Sequence, residues 1–402
     1  MKAKRLSKAQ RFDLITTLPQ AITETILCLL PIEEAARTSI LSREWRYKWT
    51  KIPKLFFCQY TVKRPSGQPD DWWKHVSALE YARRKRYMRC KLFYAIHQVL
   101  LLRQDPIHEF TLSMDANKTD FEIDQIILHL SRNHTVKKLA FYFYDLSTYS
   151  LPLSFFSLHH LTDLDLEYCC FNHKPIFIGF GSLTRLSLNF ISISRETLLH
   201  LLSNCPSLKT LCLILFEENF LGDEKPSMME LFKCLPVIEH LTTWCHTIPS
   251  LVQASVPGEL PATLIHLKYV YIRQMCFVDG YGLLFLAVLT KCCPNLEKIK
   301  LVIDIDWDNE IDPVVLEEYS DVWLEHLNEL KIGFYSNFKH ELEFVKFILA
   351  RSPNLKKVIL TNLMVNKNEE LEMLRSLLSA PRVSLVEIVV KNYYEDFLYN
   401  DD

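Results

Sequence analysis

A six-residue pattern, apolar-x-x-apolar-x-apolar, returns eleven times along the chain and constrains its fold more than any other feature. It appears as Ile107-Phe110-Leu112, Val136-Leu139-Phe141, Leu161-Leu164-Leu166, Leu183-Leu186-Leu188, Leu208-Leu211-Leu213 and, weakly, Ile238-Leu241-Thr243. A degraded copy is read at Leu264-Leu267-Tyr269, followed by Leu296-Ile299-Leu301, Leu327-Leu330-Ile332, Leu355-Val358-Leu360 and Leu385-Ile388-Val390. Successive copies start 22 to 32 residues apart. The last two apolar positions of each copy alternate, so they share one face of a short strand, and the first sits at the turn that brings the chain in. Several copies follow a helical run and a proline: "LLHLLSNCPSLKTLCL", "LAVLTKCCPNLEKIKL" and "FVKFILARSPNLKKVIL". Leu198, Leu201 and Leu202 share one helical face. Pro206, Pro294 and Pro353 fall just past such runs, where proline ends a helix and favours extended chain. Each unit therefore reads helix, turn, strand. One unit cannot bury both of its faces, but a stack can.

The spacing lies at or slightly above the period of about 20–29 residues that marks leucine-rich repeats. The predicted fold class is α/β, a leucine-rich-repeat solenoid of helix-turn-strand units with a parallel sheet, preceded by a small three-helix segment. Composition narrows the function. Apolar residues make up 49% and charged residues 23% of 402, and the net charge of -2 supplies no global basic field for nucleic acid. Glycine occurs 8 times, well below the usual share of about 7%, which disfavours a phosphate-cradling loop. "GFGS" at Gly179 to Ser182 reads as a turn leading into a repeat strand. None of the 12 cysteines forms a CxxC pair, and Cys205 and Cys293 occupy equivalent places before their prolines, as small buried thiols in a stack. "DIDWDNEID", Asp304 to Asp312, lacks the glycine and the final glutamate of a calcium loop and reads as a solvated acidic loop. The 14 histidines are scattered, with His159 and His160 in a repeat turn, and neither GxSxG nor HExxH is present. No catalytic residue, metal site or cofactor is expected. The basic start has no apolar core to make a secretory signal, and the run Leu283 to Leu289 is far short of the roughly 20 residues that span a bilayer. A reducing compartment, the nucleus or the cytoplasm, is the expected location.

The stretch Leu14 to Pro53 has no repeat. Thr17 is placed to cap a helix starting near Pro19, on which Ile22, Ile26, Leu27 and Leu30 follow at helical spacing. Pro31 breaks it, and Glu33 and Glu34 open a second helix with Ala35, Ala36, Ile40 and Leu41 as its apolar surface. Ser42 is placed to cap a third, carrying Trp45 and Trp49 four residues apart. So few residues bury too little surface to be robust alone. They either cap the end of the array or keep an apolar face for another protein, and composition leaves both open.

The segment "ITTLPQAITETILCLLPIEEAARTSILSREWRYKWTKIP" resembles an F-box in the form common in plants. Leu18-Pro19, Ile26-Leu27, Leu30-Pro31, "ARTSILS" and the tryptophans of "REWRYKW" carry the resemblance, with Glu44 standing where the family usually has a basic residue. It implies binding to the Skp1-type adaptor of a cullin-RING ubiquitin ligase. It also implies that Leu18, Pro19, Ile26, Leu27, Leu30, Pro31, Ile32, Leu41, Ser42 and Trp45 form that interface or its immediate support. "HLNELKIGFYSNFKHELEFVKFILARSPNLKKVIL" is similar to the FBD segment at the C-terminus of plant F-box proteins with leucine-rich repeats. On its own residues it reads as a further repeat or two with a longer helix, a candidate terminal cap.

The expected organisation is an F-box over 12–57, a basic helical linker over 58–100, leucine-rich repeats over 101–322 and FBD-like repeats over 323–395. "RRKRYMRCK", Arg83 to Lys91, reads as the wet face of a helix continuing through Phe93, Ile96 and Leu100, with a nuclear import signal as the alternative. Strand residues between the inward ones face the concave surface: Tyr142, Asp165, Glu167, Ser187, Asn189, Ile214, Trp244, Lys268, Lys300 and Lys331. Tyr142, Asp165, Glu167, Asn189, Trp244, Lys268, Lys300 and Lys331 are the expected contacts for a protein substrate. The functional expectation is a non-enzymatic substrate-recognition subunit of an SCF-type ligase, partnered by a Skp1-like adaptor. A scaffold that binds the adaptor without presenting cargo is the alternative.

Overall fold

The computed structural model describes residues 18–30, 32–60, 77–103, 105–144, 148–172, 180–215, 221, 225–253, 264–275, 281–303, 323–334, 339–362 and 367–392. It divides into two compact units, Met1–Asp115 with Phe121–Tyr144, and Ala116–Asp120 with Asp145–Asp402.

The first unit opens with α1 (Gln20–Cys28), α2 (Ile32–Arg37) and two 3-10 helices, Thr38–Ile40 and Trp45–Lys51. It continues with β1 (Lys54–Cys58), α3 (Ala78–Leu102), β2 (Glu109–Met114), α4 (Phe121–Asn133) and β3 (Lys138–Phe143). β1 and β3 flank β2, all parallel, with Leu55 opposite Phe110, Phe110 opposite Leu139, Phe57 opposite Leu112 and Leu112 opposite Phe141. Phe57 and Phe110 meet at 5.7 Å between ring centres, and Phe110 meets Phe141 edge-on at 6.5 Å. Ile52-Leu55-Phe57 is thus a further copy of the repeat triplet, hidden in the sequence because it overlaps the end of the tryptophan segment. The expected boundary at 57 falls inside β1. The expected linker contains α3, which packs on β1 and buries Leu92, Phe93, Ile96, Val99 and Leu100. It fills the helix position between two strands.

The second unit has β5 (Asp163–Glu167), β7 (Arg185–Asn189), β8 (Thr210–Ile214), β9 (His240–Trp244), β10 (Tyr269–Met275), β11 (Lys298–Ile303), β12 (Glu329–Phe334), β13 (Lys357–Asn362) and β14 (Glu387–Asn392), adjacent in that order. The two-residue strands β4 (Tyr149–Ser150) and β6 (Cys169–Cys170) pair separately. The helices are α5 (Arg195–Ser203), α6 (Met228–Lys233), α7 (Ile248–Gln253), α8 (Tyr281–Cys292), α9 (Lys339–Leu349) and α10 (Lys367–Leu378). The inward row Leu164, Leu186, Leu211, Leu241, Val270, Ile299, Leu330 and Val358 is buried throughout. Each such side chain stabilises the fold by about 1.5–3 kcal/mol relative to exposure. Helices α5, α8 and α9 end before Pro206, Pro294 and Pro353, as the sequence predicts.

Side chains tie neighbouring units together. Asn295 Nδ2 donates to the Ile265 carbonyl at 2.8 Å and Asn354 Nδ2 to the Glu325 carbonyl at 2.6 Å, so the asparagines after Pro294 and Pro353 each staple one turn to the preceding one. Thr243 stands in an apolar position because its hydroxyl donates to the Leu213 carbonyl at 3.1 Å on the adjacent strand, and Thr361 does the same to Ile332 at 3.2 Å. The α6 N-terminus has a capping box. Ser227 Oγ accepts from the Glu230 N–H at 3.3 Å, and the Glu230 carboxylate accepts from the Ser227 N–H at 3.0 Å. Glu230 also pairs with Arg195 of α5.

One copy of the triplet is corrected. The strand at β10 buries Val270 and Ile272, so the copy is Leu267-Val270-Ile272, three residues later than Leu264-Leu267-Tyr269. Tyr269 is half-buried and takes the place that Lys298 has in β11. The earlier reading was drawn by Leu264, which occupies the turn position filled by Cys293 in the next unit: Leu267 N–H donates to Leu264 and Leu296 N–H to Cys293, both at 3.2 Å.

Candidate functional site

Two surfaces qualify. The first is on the helical segment of the first unit. Trp45 and Trp49 are buried beside Leu27, Ile32 and Ala35. Ser42 Oγ accepts from the Trp45 N–H at 3.3 Å, but the N-cap residue of this helix is Glu44, without a side-chain cap, rather than Ser42; Trp49 Nε1 donates to the Arg46 carbonyl at 3.2 Å. Lys48 Nζ lies 4.9 Å from the centre of the Trp45 ring. The third helix is 3-10 rather than α, and it ends where Ile52 turns extended directly before Pro53. Outside this small core the segment exposes Ile22, Ile26, Leu29, Leu30, Ile40, Leu41 and Tyr47; Leu29 is 80% and Ile40 88% exposed.

The structure sorts the residues that the resemblance grouped together. Pro19, Ile26, Leu30 and Leu41 are exposed, while Leu18 and Ser42 are half-buried. Leu27, Ile32 and Trp45 are buried, and so support the surface from beneath rather than forming it. Pro31 and Thr17 lie outside the described residues. Ile22, Leu29, Ile40 and Tyr47 are exposed members that the resemblance did not place in the interface. Ile22 and Ile40 read as helical apolar surface in the sequence; Leu29 and Tyr47 carry no signal beyond being large apolar residues.

The second surface is the sheet face opposite the buried row. In the first unit it holds Tyr142 of β3, half-buried, with Glu109 of β2 between Lys54 of β1 at 3.3 Å and Lys138 of β3 at 3.4 Å. In the second unit, register sets Asp165 opposite Ser187 and Glu167 opposite Asn189. Ser187 then faces Cys212, and Asn189 faces Ile214. Trp244 stands opposite Arg273, Tyr271 opposite Lys300, and Lys300 opposite Lys331. Lys300 is only 6% exposed, with its Nζ 4.1 Å from the centre of the Tyr271 ring. The acids of β5 and the lysines of β11 and β12 are not brought together, since β7 to β10 lie between them. Lys268 is not on this face. It sits in the turn before β10, where its carbonyl accepts from the N–H groups of Glu297 and Lys298 at 2.9 and 3.0 Å. Tyr271 and Arg273 hold the places it was expected to fill, and the three-residue shift of the triplet accounts for the error.

An aromatic row also crosses this unit. Tyr168 stacks on Phe190 at 4.9 Å, Phe190 meets Trp244 edge-on at 5.4 Å, and Trp244 meets His246 at 5.0 Å. Tyr168 and Phe190 follow β5 and β7 with φ of 54° and 53°, a left-handed conformation that bulky residues rarely adopt. Sequence periodicity had no means of finding them, because they lie one residue beyond the alternating run. Burial pushes the Glu167 carboxyl up, nearby Asp165 pushes it further, and Arg273 partly offsets both.

The remaining sequence features take structural places. Cys205 is buried, its Sγ donates to the Leu201 carbonyl at 3.1 Å, and burial pushes its thiol up to about 11. Cys293 is likewise buried and pushed up by burial. His159 and His160 are exposed in a turn. Gly181 is exposed in the turn before β7, and a Cβ added there would touch nothing within 4 Å. Gly179 and the acidic stretch 304–312 lie outside the described residues.

The family profile described as "FBD-associated F-box protein At5g56370, LRR repeats" matches residues 125–221, and the profile described as "FBD" matches residues 323–360. The chain is 31% identical over 425 residues to F-box/FBD/LRR-repeat protein At1g13570 of Arabidopsis thaliana, covering 92% of this chain and 96% of that one. It is 23% identical over 440 residues to F-box/FBD/LRR-repeat protein At3g26920 of the same plant, covering 92% and 94%. It is 24% identical over 398 residues to the putative F-box/FBD/LRR-repeat protein At5g52460, also from Arabidopsis thaliana, covering 94% and 95%.

Proposed function

Because the chain belongs to the family of F-box/FBD/LRR-repeat proteins, we propose that it is the substrate-recognition subunit of an SCF-type cullin-RING ubiquitin ligase. The helical segment docks a Skp1-like adaptor, and the open sheet face of the repeats holds a protein target. The subunit contributes no bond-making chemistry; its catalytic contribution is proximity, bringing a target lysine near the ligase's charged carrier. It acts in the nucleus or the cytoplasm.

The observation that carries this reading is the apolar surface of the helical segment. Seven large apolar side chains, from Ile22 to Tyr47, are exposed over a small core that fixes their positions. Exposed apolar surface concentrated on so short a segment marks an interaction site, and its burial against a partner gives the hydrophobic character of an obligate interface.

The test is capture of a purified Skp1-like adaptor by the full chain and by a double variant, Leu29→Asp with Ile40→Asp. Both residues are exposed, so the variant keeps the parent's melting temperature while adaptor affinity falls at least about tenfold. A double variant that holds the adaptor as tightly as the parent refutes the assignment. The same variant separates ligase from scaffold: a bound target lives longer in cells carrying it only if the parent delivers that target for ubiquitylation. Point variants serve better here than deletion of residues 12–57, which would remove most of β1 along with the docking face.

A further inference from the structure

The basic run Arg83 to Lys91 lies within α3, whose N-terminus is capped by Ser77 Oγ accepting from the Glu80 N–H at 3.2 Å. Its charges fall into two groups. Lys85 Nζ reaches the Asp115 carboxylate at 3.4 Å. Arg89 donates to the Asp115 carbonyl at 2.9 Å, with its guanidinium 5.0 Å from the centre of the Phe93 ring. Asp115 itself accepts from Gln59 Nε2 at 2.9 Å and from the Tyr60 hydroxyl at 2.8 Å, so these two cations serve the fold. Arg84 pairs with Glu80 at 2.9 Å. Arg83, Arg86 and Lys91 are different: all three are exposed, and none makes an ion pair among the described residues.

A second apolar stripe runs among these three. Tyr87, Tyr94 and Leu101 recur every seven residues and are 66%, 68% and 78% exposed. Cys90 and His97, each three residues after a tyrosine, are exposed as well. At 3.6 residues per turn these five positions span an arc of roughly 80°, on the side of α3 away from its buried residues. An arc this narrow with a seven-residue period is the seam that one helix offers another; a membrane-surface helix presents a broader apolar face. The residues flanking the seam are Arg86, Lys91 and Gln98, with Arg83 one turn before Tyr87. Charges at such flanking positions choose the partner, and these repel a second copy of the same helix.

We propose that the outward face of α3 is a docking seam for an acidic amphipathic helix of a partner protein. The partner places apolar residues at heptad spacing against Tyr87, Tyr94 and Leu101, and its carboxylates meet Arg83, Arg86 and Lys91. This seam is separate from the adaptor surface and does not depend on that assignment.

The test uses the full chain and a fluorescent synthetic peptide of about four heptads, with leucine at the seam and glutamate at the flanks. The same peptide with lysine flanks, and phosphatidylserine vesicles, are run in parallel. The acidic peptide is expected to gain helicity on binding, to bind at least about tenfold more tightly than its lysine counterpart, and to weaken as salt rises. Tyr94→Glu abolishes binding without lowering the melting temperature, because the side chain is exposed. Arg86→Glu with Lys91→Glu reverses the preference between the two peptides. Equal binding of both peptides, undiminished binding by Tyr94→Glu, or preferential binding to the vesicles overturns the proposal.

Discussion

Glu167 shows how one side chain can be costly to the fold and useful to a surface. Burial is the main influence on its carboxyl and pushes it up; Asp165 adds to this, and Arg273 opposes both. A carboxylate whose folded pKa lies above its unfolded value destabilises the fold when it is charged. That cost is fully present above the folded pKa and vanishes as pH falls below the unfolded one. Glu167→Gln is therefore expected to melt at a higher temperature than the parent at pH 7, with the gain shrinking as pH approaches about 4. Thermal scans across that range decide it; a gain equal at every pH would mean that charge is not the cause. The same scale exposes a limit of sequence reading. Leu27 and Leu30 are alike in type and both belong to the helical spacing, yet Leu27 is buried and Leu30 is exposed. What separates them is the Trp45–Lys51 helix, which arrives from later in the chain and packs on α1.

At the scale of the element, alternation was legible wherever strong apolar residues occupied both inward strand positions, as in Leu164-Leu166 or Leu186-Leu188. It misled where a leucine also filled the preceding turn position, at Leu264. The corrected register of β10 makes a direct prediction. Val270→Asp places a charge in the buried row and costs on the order of 4 kcal/mol or more, enough to disrupt the repeat. Tyr269→Asp, on the opposite face, changes stability by about 1 kcal/mol or less. Urea denaturation of the two variants measures the difference, and the original reading requires the reverse order. Trp45–Lys51 departs in form as well: tryptophans four apart suit an α-helix, yet the run is 3-10 and ends at the extended Ile52 before Pro53.

For each unit as a whole, stability is approximately a sum of repeat terms and neighbour contacts. Leu330, wholly buried in β12, touches the stack through β11 on one side and β13 on the other. Leu330→Ala is expected to cost about 3 kcal/mol and to lower amide hydrogen-exchange protection in β11, β12 and β13. Protection in β7 and β8 should remain near the parent's. A uniform loss along the unit would show cooperativity reaching well beyond nearest neighbours.

The repeat, the parallel strand order, the helix stops at proline and the family likeness were readable from the amino acids alone, because they rest on local codes: a two-residue alternation, a 3.6-residue helical spacing, and the missing N–H of proline. Which apolar residues stay open to a partner was not local. The exposure of Ile40, the two faces of α3, the recruitment of Ile52-Leu55-Phe57 into a repeat strand and the row Tyr168-Phe190-Trp244 depend on residues distant in sequence competing for the same buried space. Only the tertiary packing decides that competition, since burying one apolar face leaves another uncovered.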